Sequence, residues 1–409
     1  IQVPSQSPVF DPQWESNGLL QQSMDVLLRW TLNQNKACGG DISGLSVELV
    51  ARQGLSPLLF IEIAPFPETN EDVGTVLMYG HADTQPPMAS SWRKGTGPYT
   101  PTMIGDKLYG RGSCDDGYAI FAALSSIACL QSQSLPHGKI VVLIEASEES
   151  GSPHLVPHLE QLQSRIGTPS LIVCLDSGCA NYEQLWMVTS LRGIIVGELT
   201  VSCISEGVHS GDASGIVPSS FRIVRQLLDR IEDPVTGRVK DFGNKAMWCQ
   251  IPEQRRTQTA YAAEVMGETT YTQFPFHDGA KPCSPGESDL VDLALNRTWR
   301  PSLSITGAMG LPSLLEAGNV MRPYTTLMLS VRVPPNVYPS IAAMALKTEL
   351  ERDPPLGAQV KFNVQKCGTG WEAPAVAPWL ELSADNSSYR VFGKPACYVG
   401  RGGSIPFMG

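Results

Sequence analysis

Apolar residues recur at helical spacing over residues 19–36, which predicts an opening helix. Residues 46–51 and 58–63 read as strands. Three more apolar runs, 75–80, 140–144 and 171–175, are interleaved with helical patterns over 118–130 and 155–166. Strands alternating with helices predict an α/β sheet with parallel members. In such open sheets, ligands sit beyond the carboxyl ends of the strands. The pattern changes after about Met187. Residues 197–204, 325–333 and 359–365 read as strands, and 218–231 and 342–351 as helices. That order suits a small α/β sandwich inserted into the first domain. Residues 233–300 are rich in Pro, Gly and polar residues and are expected to form an insertion within the inserted module. A helix-like stretch from Ala377 and a strand at 395–399 mark a return. The expected fold class is α/β: a mixed, largely parallel sheet domain over 1–187, an inserted α/β sandwich over 188–374, and a return segment over 375–409.

Several apolar runs lead into knots of metal-binding side chains. The run 75–80 ends in His81-Ala82-Asp83, the run 140–144 in Glu145 with Glu148-Glu149 beyond, and the run 171–175 in Asp176. The Gly-rich segment 107–112 leads to Asp115-Asp116. An ionisable group just past a buried strand is costly unless it is solvated, paired or bound to metal. Clustering between residues 81 and 176, these positions suggest one convergent site. Its imidazole and carboxylates suggest metal. In His81-Ala82-Asp83 both ionisable side chains point to one face, so His81 could ligate metal while Asp83 fixes its tautomer. Asp115 could bridge two cations, or the pair could be a solvated turn or a cap for the next helix. Glu148 and Glu149 repel unless cations or water lie nearby; one could ligate and the other take a proton, or both could start an exposed helix. Asp176 alone is often just a turn residue. His209 is a lone loop histidine, and His137, His154, His158 and His277 read as surface or packing residues.

Composition narrows the picture. The 409 residues are 42% hydrophobic and 17% charged, an ordinary composition with ample core. A formal charge of -10 gives no basic footprint for nucleic acid, so no nucleic-acid partner is expected. No apolar run approaches the roughly 20 residues of a membrane span. The N-terminus lacks the basic start and apolar core of a signal peptide. The ten cysteines are scattered, several within apolar runs, and none forms a C-x-x-C pair. Reduced, buried thiols and a cytoplasmic location are expected.

The knots also form an ordered set: Tyr79-Gly80-His81-Ala82-Asp83-Thr84-Gln85-Pro86, Leu108-Tyr109-Gly110-Arg111-Gly112, Asp115-Asp116, Glu148-Glu149-Ser150-Gly151, Leu191-Arg192-Gly193, His209-Ser210-Gly211 and Gly402-Gly403-Ser404-Ile405-Pro406. Each is weak alone. Together, over roughly residues 20 to 409, the chain resembles the di-zinc metallopeptidases that include carnosine dipeptidases, aminoacylase, glutamate carboxypeptidase and succinyl-diaminopimelate desuccinylase. The resemblance implies a catalytic domain interrupted by a lid domain that often forms the dimer interface. It implies two divalent ions per chain, zinc first, with manganese or cobalt as alternatives. His81, Asp115 and Asp176 would hold one ion, and Asp115 and Glu149 the other. Glu148 would be the general base, Asp83 the partner of His81, and the Asp115–Asp116 peptide cis. His209 would reach a partner subunit's site and polarise the scissile carbonyl. Asn319, Arg332, Gly402, Gly403 and Ser404 would contact substrate.

Two departures stand out. The family's Asp-Asp-Lys-Gly reads Asp115-Asp116-Gly117-Tyr118 here. The family's last ligand is a His beyond Gly-Gly-Ser-Ile-Pro, and no His follows His277; a further segment beyond Gly409 is the expectation. In the family, Asp at the position of Asp176 accompanies dipeptidases and aminopeptidases. The expected function is therefore hydrolysis of dipeptides or short peptides. The alternatives are an N-acyl-amino-acid deacylase and a non-catalytic peptide-binding homologue.

Overall fold

A computed structural model of the chain describes residues 1–33, 41–68, 74–283 and 289–409. They fall into two compact units: Ile1–Gly178 with Ile405–Phe407, and Cys179–Ser404 with Met408–Gly409.

The first unit is built on five strands: β1 (Leu45–Arg52), β2 (Leu55–Ile63), β3 (Thr75–His81), β4 (Lys139–Glu145) and β5 (Leu171–Cys174). Their order across the sheet is β1-β2-β4-β3-β5. β4 and β5 run parallel to β3, and β1 and β2 join antiparallel. The sheet is mixed, with its parallel part confined to one half. Helices α1 (Leu19–Leu32) and α2 (Ala119–Ser132) cover one face: Leu20, Met24, Ile120 and Leu124 share a core with Leu59, Ile61 and Val142. Helix α3 (Leu155–Ile166) covers the other, where Leu155 and Leu162 join Phe60, Tyr79 and Val141. Because both faces are covered, residues 58–61 of β2 and 140–144 of β4 read as continuous apolar runs. Each Leu or Ile so buried contributes about 1.5–3 kcal/mol. Phe407 closes this core by stacking on Tyr79, ring centroids 4.0 Å apart. The opening helix stops at Leu32, and residues 34–36 of the expected helix lie outside the described residues.

The expectation of buried thiols fails for most cysteines. Among the described residues Cys397 is buried, whereas Cys114, Cys129, Cys179, Cys283 and Cys367 are exposed. In α2 the buried positions are 119, 120, 123, 124, 127 and 128, so Cys129 falls on the outer face of an otherwise apolar helix.

The second unit contains β6 (Trp186–Leu191), β7 (Gly193–Ser202), β8 (Ser302–Met309), β9 (Tyr324–Val333), β10 (Gln359–Gly368), β11 (Trp371–Glu372) and β12 (Cys397–Arg401). Four of them form an antiparallel sheet ordered β8-β9-β7-β10. Helices α4 (Ser220–Ile231) and α7 (Pro339–Glu351) share one core with it. β7 alternates buried and half-buried residues along its length, as one covered face requires. This is the sandwich expected from sequence, with β8 as a strand that the periodicity did not single out. A second sheet, β11-β6-β12, joins the remaining strands. Residues 233–300, rich in Pro, Gly and polar residues, are helical in part. They carry α5 (Glu253–Met266) and α6 (Leu290–Thr298), which pack on each other and on β12. Arg255 of α5 secures this packing: 3% exposed, it donates to Glu372, Gln258 and the Ala373 carbonyl. The last helix, α8 (Pro378–Phe392), precedes β12. Among the described residues, no helix is long and apolar enough to cross a membrane.

Candidate metal centre

β3 ends at His81, in register with Glu145 of β4, and Tyr79 pairs with Cys174 of β5. Three parallel strands thus deliver their carboxyl ends to one place. The helices that follow β3 and β4 lie on opposite faces, the arrangement of a topological switch point.

His81 is 1% exposed. Its Nδ1 lies 3.0 Å from the Asp83 main-chain carbonyl and 3.5 Å from the Asp83 carboxylate. Its Nε2 lies 3.1 Å from Asp115 Oδ1 and 4.0 Å from both Glu148 Oε2 and Asp176 Oδ2. A proton held on Nδ1 by the carbonyl leaves the Nε2 lone pair facing the carboxylates, as a ligand requires. One ligand atom each from His81, Asp115 and Asp176 lies within 4.8 Å of the other two.

The remaining carboxylates divide their work. Asp83 is fully buried, and its side chain accepts from the main-chain N–H groups of Glu148 (3.1 Å) and Glu149 (3.0 Å). It meets His81 through its carbonyl and fixes the 148–149 turn through its carboxylate. Glu148 is 9% exposed, not the start of an exposed helix. Glu149 lies outside the group of three and accepts from the Gln85 carboxamide. Gln85 stood in the sequence pattern without a role; its part depends on a contact 64 residues along the chain. The Asp115–Asp116 peptide is cis. Neither aspartate caps α2, whose cap position is Tyr118. Asp115 is the exposed member, while Asp116 is buried and accepts the His81 N–H at 3.1 Å. Glu145 sits behind the site, held by the hydroxyls of Tyr79, Ser152 and Ser147.

Close packing reinforces the geometry. A Cβ at Gly80 would lie 2.4 Å from Ala119 Cβ and 2.7 Å from Asp116 Oδ2. Gly80→Ala is expected to cost about 1–3 kcal/mol by overpacking and to weaken zinc uptake, since Asp116 holds the His81 main chain. Urea midpoints and a zinc titration check this.

So much buried negative charge is unfavourable without a cation. Burial, aided by Asp176, Glu149 and Asp83 and opposed by His81, pushes Glu148 up to about 9. Burial likewise carries Asp116 to about 8 and Glu145 to about 7. Burial opposes charge on His81, but Asp115, Asp83 and Asp176 outweigh it and raise its pKa well above the usual value. Between the ordinary carboxylate range near 4.3 and these raised values, the folded chain holds protons that the unfolded chain releases. His81 adds stability below its ordinary pKa that is lost as pH rises through its raised one. Both effects have one sign. Chelator-treated protein should lose stability from about pH 5 to pH 9, and zinc should flatten that slope. Urea midpoints at pH 5, 7 and 9 with and without zinc test it.

The donor set fits a divalent cation that accepts nitrogen and oxygen. His81, Asp115 and Asp176 suit one ion, and Asp115 and Glu149 are the residues available for a second.

Within the second unit, a two-residue strand pair sets His209 opposite Val320. The next amide, Ser210 N–H, donates to the Asn319 carbonyl at 2.9 Å, so these two predicted residues are neighbours. His209 is exposed, and its Nδ1 accepts from the Gly211 N–H. Arg332 lies on β9 opposite Ser302 and Ile194. Gly402 lies against Arg192, whose Nη2 is 3.0 Å from where a Cβ would sit. Arg192 is buried and donates to Asn296 O, Arg300 O and Ser302 Oγ. Burial and the charges of Arg332 and Arg297 push its pKa down to about 9.

An imidazole and carboxylates thus converge at the switch point of an α/β sheet, a donor set suited to a divalent cation. The model of peptidase family M20/M25/M40 matches residues 77–367, and the chain belongs to that family. Beta-Ala-His dipeptidase of Mus musculus is 27% identical over 307 residues, covering 73% of this chain and 58% of the relative. Cys-Gly metallodipeptidase dug1 of Schizosaccharomyces pombe is 23% identical over 346 residues, covering 81% and 69%. The chain therefore spans under two-thirds of the mouse relative's length. Human carnosine dipeptidase 1 superposes with a TM-score of 0.73 at 21% identity, over 99% of this chain and 83% of that one. The metallo-carboxypeptidase Sso-CP2 of Sulfolobus solfataricus gives 0.73 at 17%, over 100% and 85%. At such identities the likeness shows the fold.

Proposed function

We propose that the protein is a metallopeptidase that hydrolyses dipeptides or short peptides. The observation that carries this is the grouping of His81, Asp115 and Asp176 beside a buried carboxylate, Glu148, that belongs to no ligand pair. Divalent ions, zinc foremost, would supply Lewis-acid activation of water and of the scissile carbonyl. Glu148 takes the proton from the attacking water and passes it to the departing amine. Asp83 holds Glu148 by its main chain, so the base stays aimed while it changes protonation state. The relatives named as dipeptidases and the aspartate at 176 support the preference for dipeptides over acylated amino acids.

The first unit with β3 and its neighbours is read as the catalytic domain, and the sheet carrying α4 and α7 as the lid. His209 is assigned the oxyanion of a partner subunit's substrate, Asn319 and Arg332 the substrate's carboxylate, and Gly402, Gly403 and Ser404 a backbone-rich substrate loop. A homodimer through the lid and a cytoplasmic location belong to the same reading. Elemental analysis together with a panel of dipeptides and acetylated or succinylated amino acids tests it. About two metals per chain with dipeptide turnover is the expected result. Cleavage of acylated amino acids alone, or no metal uptake after zinc is added, would sink it.

A further inference from the structure

Within the first unit is a cavity of about 280 Å³ that the reading above leaves unused. Met88, Trp92 and Tyr109 form its apolar walls, and Arg93 and Arg111 its charge. The Arg93 guanidinium sits 4.6 Å from the Tyr109 ring centroid, and that of Arg111 5.8 Å from the Trp92 ring. Both lie within the reach of cation–π attraction. The walls are pinned: Trp92 Nε1 donates to Pro87 O at 2.8 Å, and Arg111 Nη2 to Pro86 O at 2.7 Å. Arg111 Nε is buried with no acceptor, as is the Tyr99 hydroxyl. Neither guanidinium is in a salt bridge among the described residues. Residues 88–111 hold Arg93, Lys94, Lys107 and Arg111 against a single acid, Asp106, in a chain whose formal charge is -10.

The cavity is connected to the metal ligands. Pro86, which anchors Arg111, follows Gln85, whose carboxamide donates to Glu149. Arg111 is thus tied through Pro86 and Gln85 to Glu149, a predicted metal ligand.

We propose that this cavity is a subsite for the carboxylate of an acidic side chain on a short peptide. A planar carboxylate matches guanidinium forks. The ligand's identity as a peptide rests on the peptidase reading; the cavity and its two guanidiniums do not. A neutral side chain of equal size forfeits the charge-assisted bonds, which predicts a preference of about tenfold.

The test is calorimetric titration of the full, zinc-loaded chain carrying Glu148→Gln, so that peptide is bound but not turned over. Ala-Glu should bind about tenfold more tightly than Ala-Gln. Arg93→Gln should erase that preference with an unchanged circular dichroism spectrum, while Lys94→Gln, the same charge change one residue away, should retain it. Equal affinities for the two peptides would overturn the proposal. So would equal losses in the two variants, which indicate diffuse charge, or inorganic phosphate binding as tightly as Ala-Glu, which indicates a free-anion site. A retained Ala-Glu preference in a chain whose wild type hydrolyses neither peptide would refute the peptidase reading and leave the subsite standing.

Discussion

Glu148→Gln should keep full zinc content and lower kcat/KM for a cleaved dipeptide by about 10²–10⁴-fold, the range for a lost general base. The carboxamide has the same shape but cannot accept a proton. Glu148 is 9% exposed, and its Oε2 stands 4.0 Å from the His81 nitrogen that faces the ligand group. Its main chain is held by Asp83 rather than by its own side chain. The substitution should therefore disturb chemistry and not architecture. A second readout separates the two. Glu148 is pushed up to about 9, so at pH 8 its ionisation works against the metal-free fold. The neutral amide removes that cost, and chelator-treated Glu148→Gln should be at least as stable as wild type at pH 8. Near-normal turnover at full metal loading would remove Glu148 from the mechanism.

Asp83→Ala should be the most destabilising single change near the site. The carboxylate is fully buried and accepts two main-chain N–H groups, at 3.1 and 3.0 Å. Hydrogen bonds to a charged group contribute about 1.5–3 kcal/mol each, so losing both should cost about 3–6 kcal/mol. The 148–149 turn would then lose its anchor, and zinc affinity should fall even though Asp83 is not in the ligand group. Asp83→Asn keeps one acceptor oxygen and should fall between alanine and wild type. A urea midpoint for Asp83→Ala within about 0.5 kcal/mol of wild type, or unchanged zinc affinity, would refute this account.

The metal knots were legible because buried strands cannot end in bare carboxylates and imidazoles without a reason. His81, Asp115 and Asp176 come together as that logic expected. The role of Asp83 was legible only in part. Its spacing from His81 placed both on one face, but its carboxylate is occupied 65 residues further on. Gln85 and Arg111 sat inside the recognised pattern without roles, since a carboxamide or guanidinium declares nothing until its partner is known. The helices within 233–300 were hidden by Pro and Gly in their flanks. Cys129 was misjudged because an apolar run does not show which of its residues faces outward.

The ordered motifs carried the resemblance to the family. The alternation of strands and helices and the residue types that gather at the strand ends follow from periodicity and from the cost of burying charge, both local properties. Only the folded chain shows which carboxylates face the His81 nitrogen, which one anchors a turn, and which guanidiniums share a cavity with aromatic rings. Those depend on strand register and on contacts between residues far apart in the chain, and neither is encoded in any local pattern.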